Sequence, residues 1–287
     1  MDFARGYSVE NDEASEQDIA AAAEAARRAK AAVVFAGLPD SYESEGYDRT
    51  HLRLPECQNR VIEAVAAANP NTIVVLHNGA VIEMTDWVDG TAAVLDAWYP
   101  GEQGGRAIAD VLTGKRNPGG RLPFSWVRTI GQNPYYYSIK PSGRGYGYVE
   151  NDGSPLYPFG YGLSYTSFEY SAFQLPSQLK AGESLRVKVT VTNTGSVEGD
   201  EVVQLYAHDE LACVARPLKE LIAFKRITLS PGESREVELE VPYRQFALWD
   251  TQMVHRVEEG WFEVWLGRNA DEKVTGGRVY VSGGLTD

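Results

Sequence analysis

The sequence predicts an α/β domain with an open, mostly parallel sheet over residues 1–164, followed by an all-β sandwich over 165–287. Three observations lead there. Helical and strand periodicities alternate through the first hundred residues, the pattern of a sheet whose strands are joined by helices. The stretch from Asn117 to about Tyr165 is dense in Gly, Pro and Tyr, which makes turns and fixed loops rather than regular elements. Beyond Thr166, apolar and polar residues alternate with the period of two that a half-buried strand requires.

In chain order, residues 15–30 are Ala-rich with acids early and bases late, matching the charge preference of a helix macrodipole. Residues 32–38 form a continuous apolar run and read as a strand buried on both faces. Pro55 opens a second helix, with Val61, Ile62 and Val65 at helical spacing. Strands follow at 72–78 and 92–99, and residues 101–114 form a third helix that stops at Gly114. In the second part, Leu185, Val187, Val189 and Val191 alternate strictly with polar residues, as do Val237, Leu239 and Val241. With the segments around 201–207, 218–229 and 261–267, roughly seven short strands fit, the content of a β-sandwich.

Composition excludes several classes of function. An apolar fraction of 43% and a charged fraction of 23% are those of a globular protein rather than a disordered one. A net charge of −13, with both halves acidic, lacks the Lys/Arg stripe that neutralises a phosphate backbone, so no nucleic-acid partner is expected. No apolar run is long enough to span a bilayer, so no membrane partner is expected either. The first residues show no basic-then-apolar leader, which leaves the compartment open. Cys57 and Cys213 are too few for a disulfide framework or a zinc site. The four histidines, His51, His77, His208 and His255, are scattered without metal-ligand spacing. No cofactor is expected: Gly143, Gly145 and Gly147 are not flanked by the strand-to-helix transition that a phosphate loop needs.

The segment richest in chemistry is Tyr42-Glu43-Ser44-Glu45-Gly46-Tyr47-Asp48-Arg49. It leaves the C-terminal end of the first strand, where open α/β sheets place their ligands. Three carboxylates, an arginine and two tyrosines within eight residues suit an acid/base site for a sugar; a solvated charged turn with a local Asp48–Arg49 pair is the plainer alternative.

Several segments then resemble glycoside hydrolase family 3, the β-glucosidase type, in the family's order. Glu43-Ser-Glu-Gly-Tyr-Asp-Arg49, followed by Leu52-Arg-Leu-Pro55, resembles its acid/base loop. Asn78-Gly79 with Val81 to Met84 is similar to its "NG-PVEM" turn, and Trp98-Tyr-Pro-Gly-Glu-Gln-Gly-Gly105 to its "WYPGQEGG" segment. Asn117 to Pro123 matches "NPSGRLP", and Pro158 to Thr166 matches "PFGYGLSYT". The sandwich resembles the fibronectin type III-like domain that follows in the family. The resemblance covers nearly the whole chain.

It implies retaining hydrolysis of β-linked glucosides, xylosides or similar glycosides, with a β-linked oligosaccharide or glycoside as ligand. Retention uses two carboxyl groups about 5–5.5 Å apart on either side of the scissile bond. By the resemblance Glu45 is the general acid/base, with Glu43 as its fallback on the same loop. Glu43, Tyr47, Asp48 and Arg49 are then substrate-binding or supporting residues; for Asp48 and Arg49 a structural ion pair remains an equal alternative. The family's nucleophile belongs to a preceding (β/α)8 barrel, which takes about 250 residues and resembles nothing here. Asp86, in Thr85-Asp86-Trp87, reads instead as a helix cap. The expected sheet is shortened relative to the family's, which predicts an unpaired edge and an uncovered apolar face. A barrel-bearing polypeptide or a second copy of the chain is the expected partner for that surface. A non-catalytic carbohydrate-binding or scaffolding module is the alternative function.

Among other residues, His77 and Trp98 are expected in the core. Trp261 and Trp265, alternating with Phe262 and Val264, are expected on sandwich faces. Tyr135 to Tyr137, Tyr146, Tyr148 and Tyr157 are expected to pack more than to stack on sugar.

Overall fold

The computed structural model describes residues 2–9, 12–46, 48–141 and 152–285. The chain divides into two compact units, Met1–Leu112 with Val127–Asn133, and Thr113–Trp126 with Pro134–Asp287.

In the first unit, helix α1 (Glu16–Arg28) starts where the Ser15 hydroxyl accepts the Asp18 amide at 3.1 Å. Ile19, Ala22 and Ala26 form its buried face, and it packs on α2 (Glu56–Ala68), which buries Cys57, Val61, Ile62 and Val65. Three parallel strands, β1 (Ala32–Gly37), β2 (Thr72–His77) and β3 (Ala93–Asp96), form a sheet in that order, with Val34, Val74 and Val94 in register. Helix α2 packs on β1 and β2, and Val34, Ala36, Val74 and Leu76 are buried. Helix α3 (Gly104–Leu112) ends two residues before Gly114, whose φ of +73° suits only glycine comfortably.

Strand β1 is not buried on both faces, contrary to its unbroken apolar run. It is an edge strand, and Val33 and Phe35 on its second face are 40% and 50% exposed. An apolar run of this length cannot separate a strand covered twice from one covered once. The expected uncovered face is therefore present on β1. The edge is partly occupied: the Tyr7 hydroxyl donates to the Phe35 carbonyl at 2.8 Å.

Buried polar side chains of this unit bond the backbone. The Gln58 carboxamide accepts the Gly37 amide at 2.8 Å and donates to the Gly37 carbonyl at 2.9 Å, pinning the end of β1 to α2. Asn69 donates to the Ala26 and Ala29 carbonyls at 2.8 and 3.0 Å, which satisfies the end of α1.

The second unit is all-β, built on two main sheets and a small third one. The larger sheet runs β5 (Gln178–Leu179), β13 (Glu272–Val281), β12 (Gly260–Asn269), β7 (Gly199–Asp209), β8 (Glu220–Leu229). The smaller runs β4 (Phe168–Gln174), β6 (Leu185–Asn193), β9 (Ser234–Val241), and a further small sheet joins β10 (Leu248–Trp249), β11 (His255–Val257) and β14 (Gly284–Leu285). Val187, Val189, Val237 and Leu239 from one sheet and Val203, Leu205, Phe262, Val264 and Val279 from the other share one buried core. Phe262 and Val264 face inward while Trp261 and Trp265 lie on the opposite face, as their alternation predicts.

The Gly/Pro/Tyr-rich residues 113–126 and 134–164 cluster with this β unit. Asn117 accepts the Tyr165 amide at 2.8 Å and donates to the Glu198 carbonyl at 3.0 Å. Arg121 and Glu201 form a nearly buried ion pair at 3.2 Å, and Tyr170 donates to the same carboxylate. Burial raises the Glu201 ionisation, opposed by Arg121 and Tyr170. Tyr137 stacks on Phe159 at 4.0 Å and Tyr157 on Tyr161 at 4.8 Å, so these tyrosines pack; Tyr136 is exposed. Tyr146, Tyr148 and the three glycines around them lie outside the described residues.

Candidate active site

The segments that leave the C-terminal ends of β1, β2 and β3 carry the site, the position where parallel sheets gather ligand groups. The loop after β1 starts under tight constraint. A Cβ at Gly37 would stand 2.2 Å from the His77 carbonyl oxygen, so only glycine allows the two strand ends to approach. The Leu38 amide then extends the pairing to the same carbonyl at 3.0 Å. A turn follows, in which the Tyr42 and Glu43 amides both donate to the Pro39 carbonyl.

The two candidate glutamates differ in their surroundings. The Glu43 Oε2 accepts the Gly79 amide at 2.8 Å and the Tyr99 hydroxyl. That contact, first, and partial desolvation, second, push the Tyr99 phenol up to about 12. Glu45 is exposed and bonds no side chain among the described residues, and Gly46 beside it has φ +82° with open space around it. Tyr47 lies outside the described residues.

Asp48 is exposed and does not pair with Arg49, so of the two alternatives the local ion pair is not formed. Arg49 turns inward and donates to the Val81 carbonyl at 3.2 Å, while its Nη1 is buried without a hydrogen bond. A guanidinium with a backbone carbonyl in reach gains more there than from an exposed neighbour screened by water. Asp86 is not a helix cap. It pairs with Arg53, and the 3-10 turn Val88–Gly90 begins after Trp87 with no side-chain cap. Trp98 is only half-buried, with φ +52°, because β3 ends at Asp96 and the chain turns sharply there. His77 is also half-buried; its ring stacks on Phe35 at 6.2 Å.

Sequence reasoning did not single out two buried polar groups at the same strand ends. Asn78, fully buried, donates to the Ala80 carbonyl at 2.8 Å, and its Oδ1 has no partner. Asp96 accepts the Trp98 amide at 3.2 Å through one oxygen, while the other is buried unpaired. Burial raises its ionisation to about 6. The available signal was a carboxylate closing an otherwise apolar strand. Among the described residues no three His, Cys, Asp or Glu side chains are grouped to hold a metal.

The fold and this loop together define a class: an α/β domain with a carboxylate-bearing loop at the strand ends, followed by a fibronectin-like β domain. Residues 6–165 match the Glycosyl hydrolase family 3 C-terminal domain, and residues 201–270 the Fibronectin type III-like domain. The chain belongs to glycosyl hydrolase family 3 and carries its C-terminal part. It is 42% identical over 285 residues to Thermostable beta-glucosidase B of Acetivibrio thermocellus, covering 95% of this chain and 38% of that protein. It is 38% identical to the Periplasmic beta-glucosidase of Salmonella typhimurium, covering 86% of this chain and 34% of the relative. The crystal structure of a beta-glucosidase from Listeria innocua in complex with glucose superposes with a TM-score of 0.90 at 33% identity, over 96% of this chain and 39% of the other. The family 3 beta-glucosidase of Bifidobacterium adolescentis gives 0.87 at 33% identity, over 98% and 43%. The chain thus spans well under half the length of these relatives.

Proposed function

We propose that this chain supplies the general acid/base half of a retaining β-glycosidase acting on β-glucosides or related β-glycosides. Glu45 protonates the departing glycosidic oxygen and then activates the water that releases the glycosyl-enzyme. The nucleophile comes from a (β/α)8 barrel outside residues 1–287, and the chain alone does not turn over. The domain that carries the loop is taken as 1–164 and the fibronectin-like domain as 165–287. Tyr47, Asp48 and Arg49 support the loop or contact the sugar, Arg49 through its buried hold on the Val81 carbonyl.

The observation that carries this reading is the contrast between the two glutamates. Glu43 already holds two donors on one oxygen, whereas Glu45 stands in solvent beside a permissive glycine, free to meet a glycosidic oxygen. The names of the relatives support the substrate class. A second reading, carbohydrate binding without catalysis, draws on Trp249, which is 59% exposed on the β10–β11 hairpin.

The test is hydrolysis of chromogenic β-glycosides by the chain, alone and with a family barrel domain added, beside Glu45→Gln. Activity that appears only with the barrel and vanishes in the Gln variant is expected. Silence in both mixtures, with sugar binding retained, would favour the second reading.

A further inference from the structure

Glu43 lies two residues before Glu45 and sits at a junction. Through one carboxylate oxygen it joins the loop after β1 to the turn after β2, by the Gly79 amide, and to the segment after β3, by the Tyr99 hydroxyl. These partners are 36 and 56 residues away in sequence, so the bonds are purely tertiary.

We propose that Glu43 is a positioning residue: its carboxylate clasps the three strand-end segments together and thereby sets where Glu45 stands. This rests on the reading of Glu45 as the acid/base.

Three features make the clasp specific. Reach is the first: the oxygen must cross from one strand-end loop to the next, and Gly79 lets it come close. A Cβ at Gly79 would lie 3.2 Å from the Glu43 Oε1 and 2.8 Å from the Tyr99 ring, so a side chain there would push both partners away. The second is donor count. A backbone amide and a phenol converge on one oxygen, and a charged acceptor strengthens both bonds. Third, the rest of the loop has few other anchors near Glu45. The Pro39 turn holds it on one side and Arg49 on the other, while Ser44, Glu45 and Gly46 are exposed and Gly46 adds backbone freedom. With Glu43 removed, nothing described between Glu43 and Asp48 would tie the loop to the sheet ends. Tyr99, though 62% exposed, is held in place by the same contact.

The experiment uses the full chain with Glu43→Ala, Glu43→Gln and Tyr99→Phe. Ultraviolet titration, with Tyr99→Phe to assign the signal, should find Tyr99 ionising at about 12 in the parent and closer to the ordinary 10.0 in both Glu43 variants. Amide exchange at Gly79 and at residues 44–46 should rise roughly tenfold or more in Glu43→Ala, the scale of losing a hydrogen bond to a charged group, with β2 unchanged. Glu43→Gln, which keeps the reach and an acceptor oxygen, should restore most of the protection. With the barrel domain added, Glu43→Ala should lower kcat more than it changes KM, and more for alkyl than for nitrophenyl leaving groups, because poor leaving groups depend most on a well-placed acid. Azide, which attacks the glycosyl-enzyme without base assistance, should rescue Glu45→Ala and not Glu43→Ala.

Unchanged exchange and titration in Glu43→Ala would overturn the clasp. A lost clasp with unchanged kcat and leaving-group dependence would overturn its positioning role. Azide rescue of Glu43→Ala alone would make Glu43 the acid/base itself and overturn both readings. If the unaltered chain with its barrel is silent, the proposed function fails, while exchange and titration still decide whether the clasp exists.

Discussion

The two units solve the problem of burying a sheet differently. In the β unit two sheets face each other, and the inward side chains of both, such as Val189, Leu205 and Val264, are shielded to 1% exposure or less. In the α/β unit only one face of the edge strand β1 is covered, and Val33 and Phe35 face outward. The polar groups follow the same division. The β unit pairs its buried carboxylate Glu201 with Arg121 and Tyr170, whereas the α/β unit leaves acceptor oxygens of Asn78 and Asp96 buried and unpaired at its strand ends. Among the described residues of the β unit, Asp250 alone keeps a buried side-chain oxygen without a hydrogen bond, and that oxygen lies 2.9 Å from the Arg256 guanidinium. The α/β unit keeps open surface and unspent hydrogen-bonding capacity where its candidate site lies, which is where natural sequences tolerate local cost.

The sharpest way to break this comparison is to open the closed unit. Arg121→Met leaves the Glu201 carboxylate buried without its cation and should cost about 3–5 kcal/mol in chemical denaturation. The double variant with Glu201→Met should recover much of that loss. A single change that costs under about 1 kcal/mol would show that water reaches the pair, and the contrast between the units would weaken. Leu205→Ala, at a fully buried position, should cost about 2–5 kcal/mol by the same measurement.

In the α/β unit, Asp96→Asn tests the unpaired carboxylate. Its ionisation is raised from the ordinary 3.8 to about 6, so the folded chain holds a proton that the unfolded chain has released between those values. The stability this contributes is complete below about pH 4 and is lost as pH rises through 6. The parent's melting temperature should therefore fall across that window by more than the Asn variant's; parallel curves would remove Asp96 as the cause.

The smallest effect is expected on the open face. Phe35→Ser should change stability by about 0.5 kcal/mol, since half of the ring is already in water. A loss several times larger would mean that the chain itself covers this face. Light scattering on the same variant addresses association. If copies of the chain pair through β1, the serine should shift the population to monomer; a parent that is monomeric at high concentration leaves the barrel as the proposed partner.

Much of the fold was legible because local patterns and tertiary burial agree. The acid-to-base gradient of an Ala-rich stretch placed α1, Pro55 placed α2, and strict alternation in 185–191 and 237–241 placed β6 and β9. The site loop was legible as a cluster of carboxylates after a strand, and by its resemblance to a family loop. What escaped were contacts between distant positions. Nothing local distinguishes an arginine paired with its neighbour from one that turns to the Val81 carbonyl, or a tryptophan in the core from one at a half-exposed turn.

The sequence by itself determined the order and type of the elements, the change from helix-linked strands to a β-sandwich, and the two glutamates at the head of the site loop. These follow from periodicity, capping and turn chemistry, which act over a few residues. Tertiary structure alone decided which face of β1 stays open and which of the two glutamates is tied down. Burial and hydrogen bonding there depend on groups brought together from 36 and 56 residues away, and neither distance leaves a mark on the residues between.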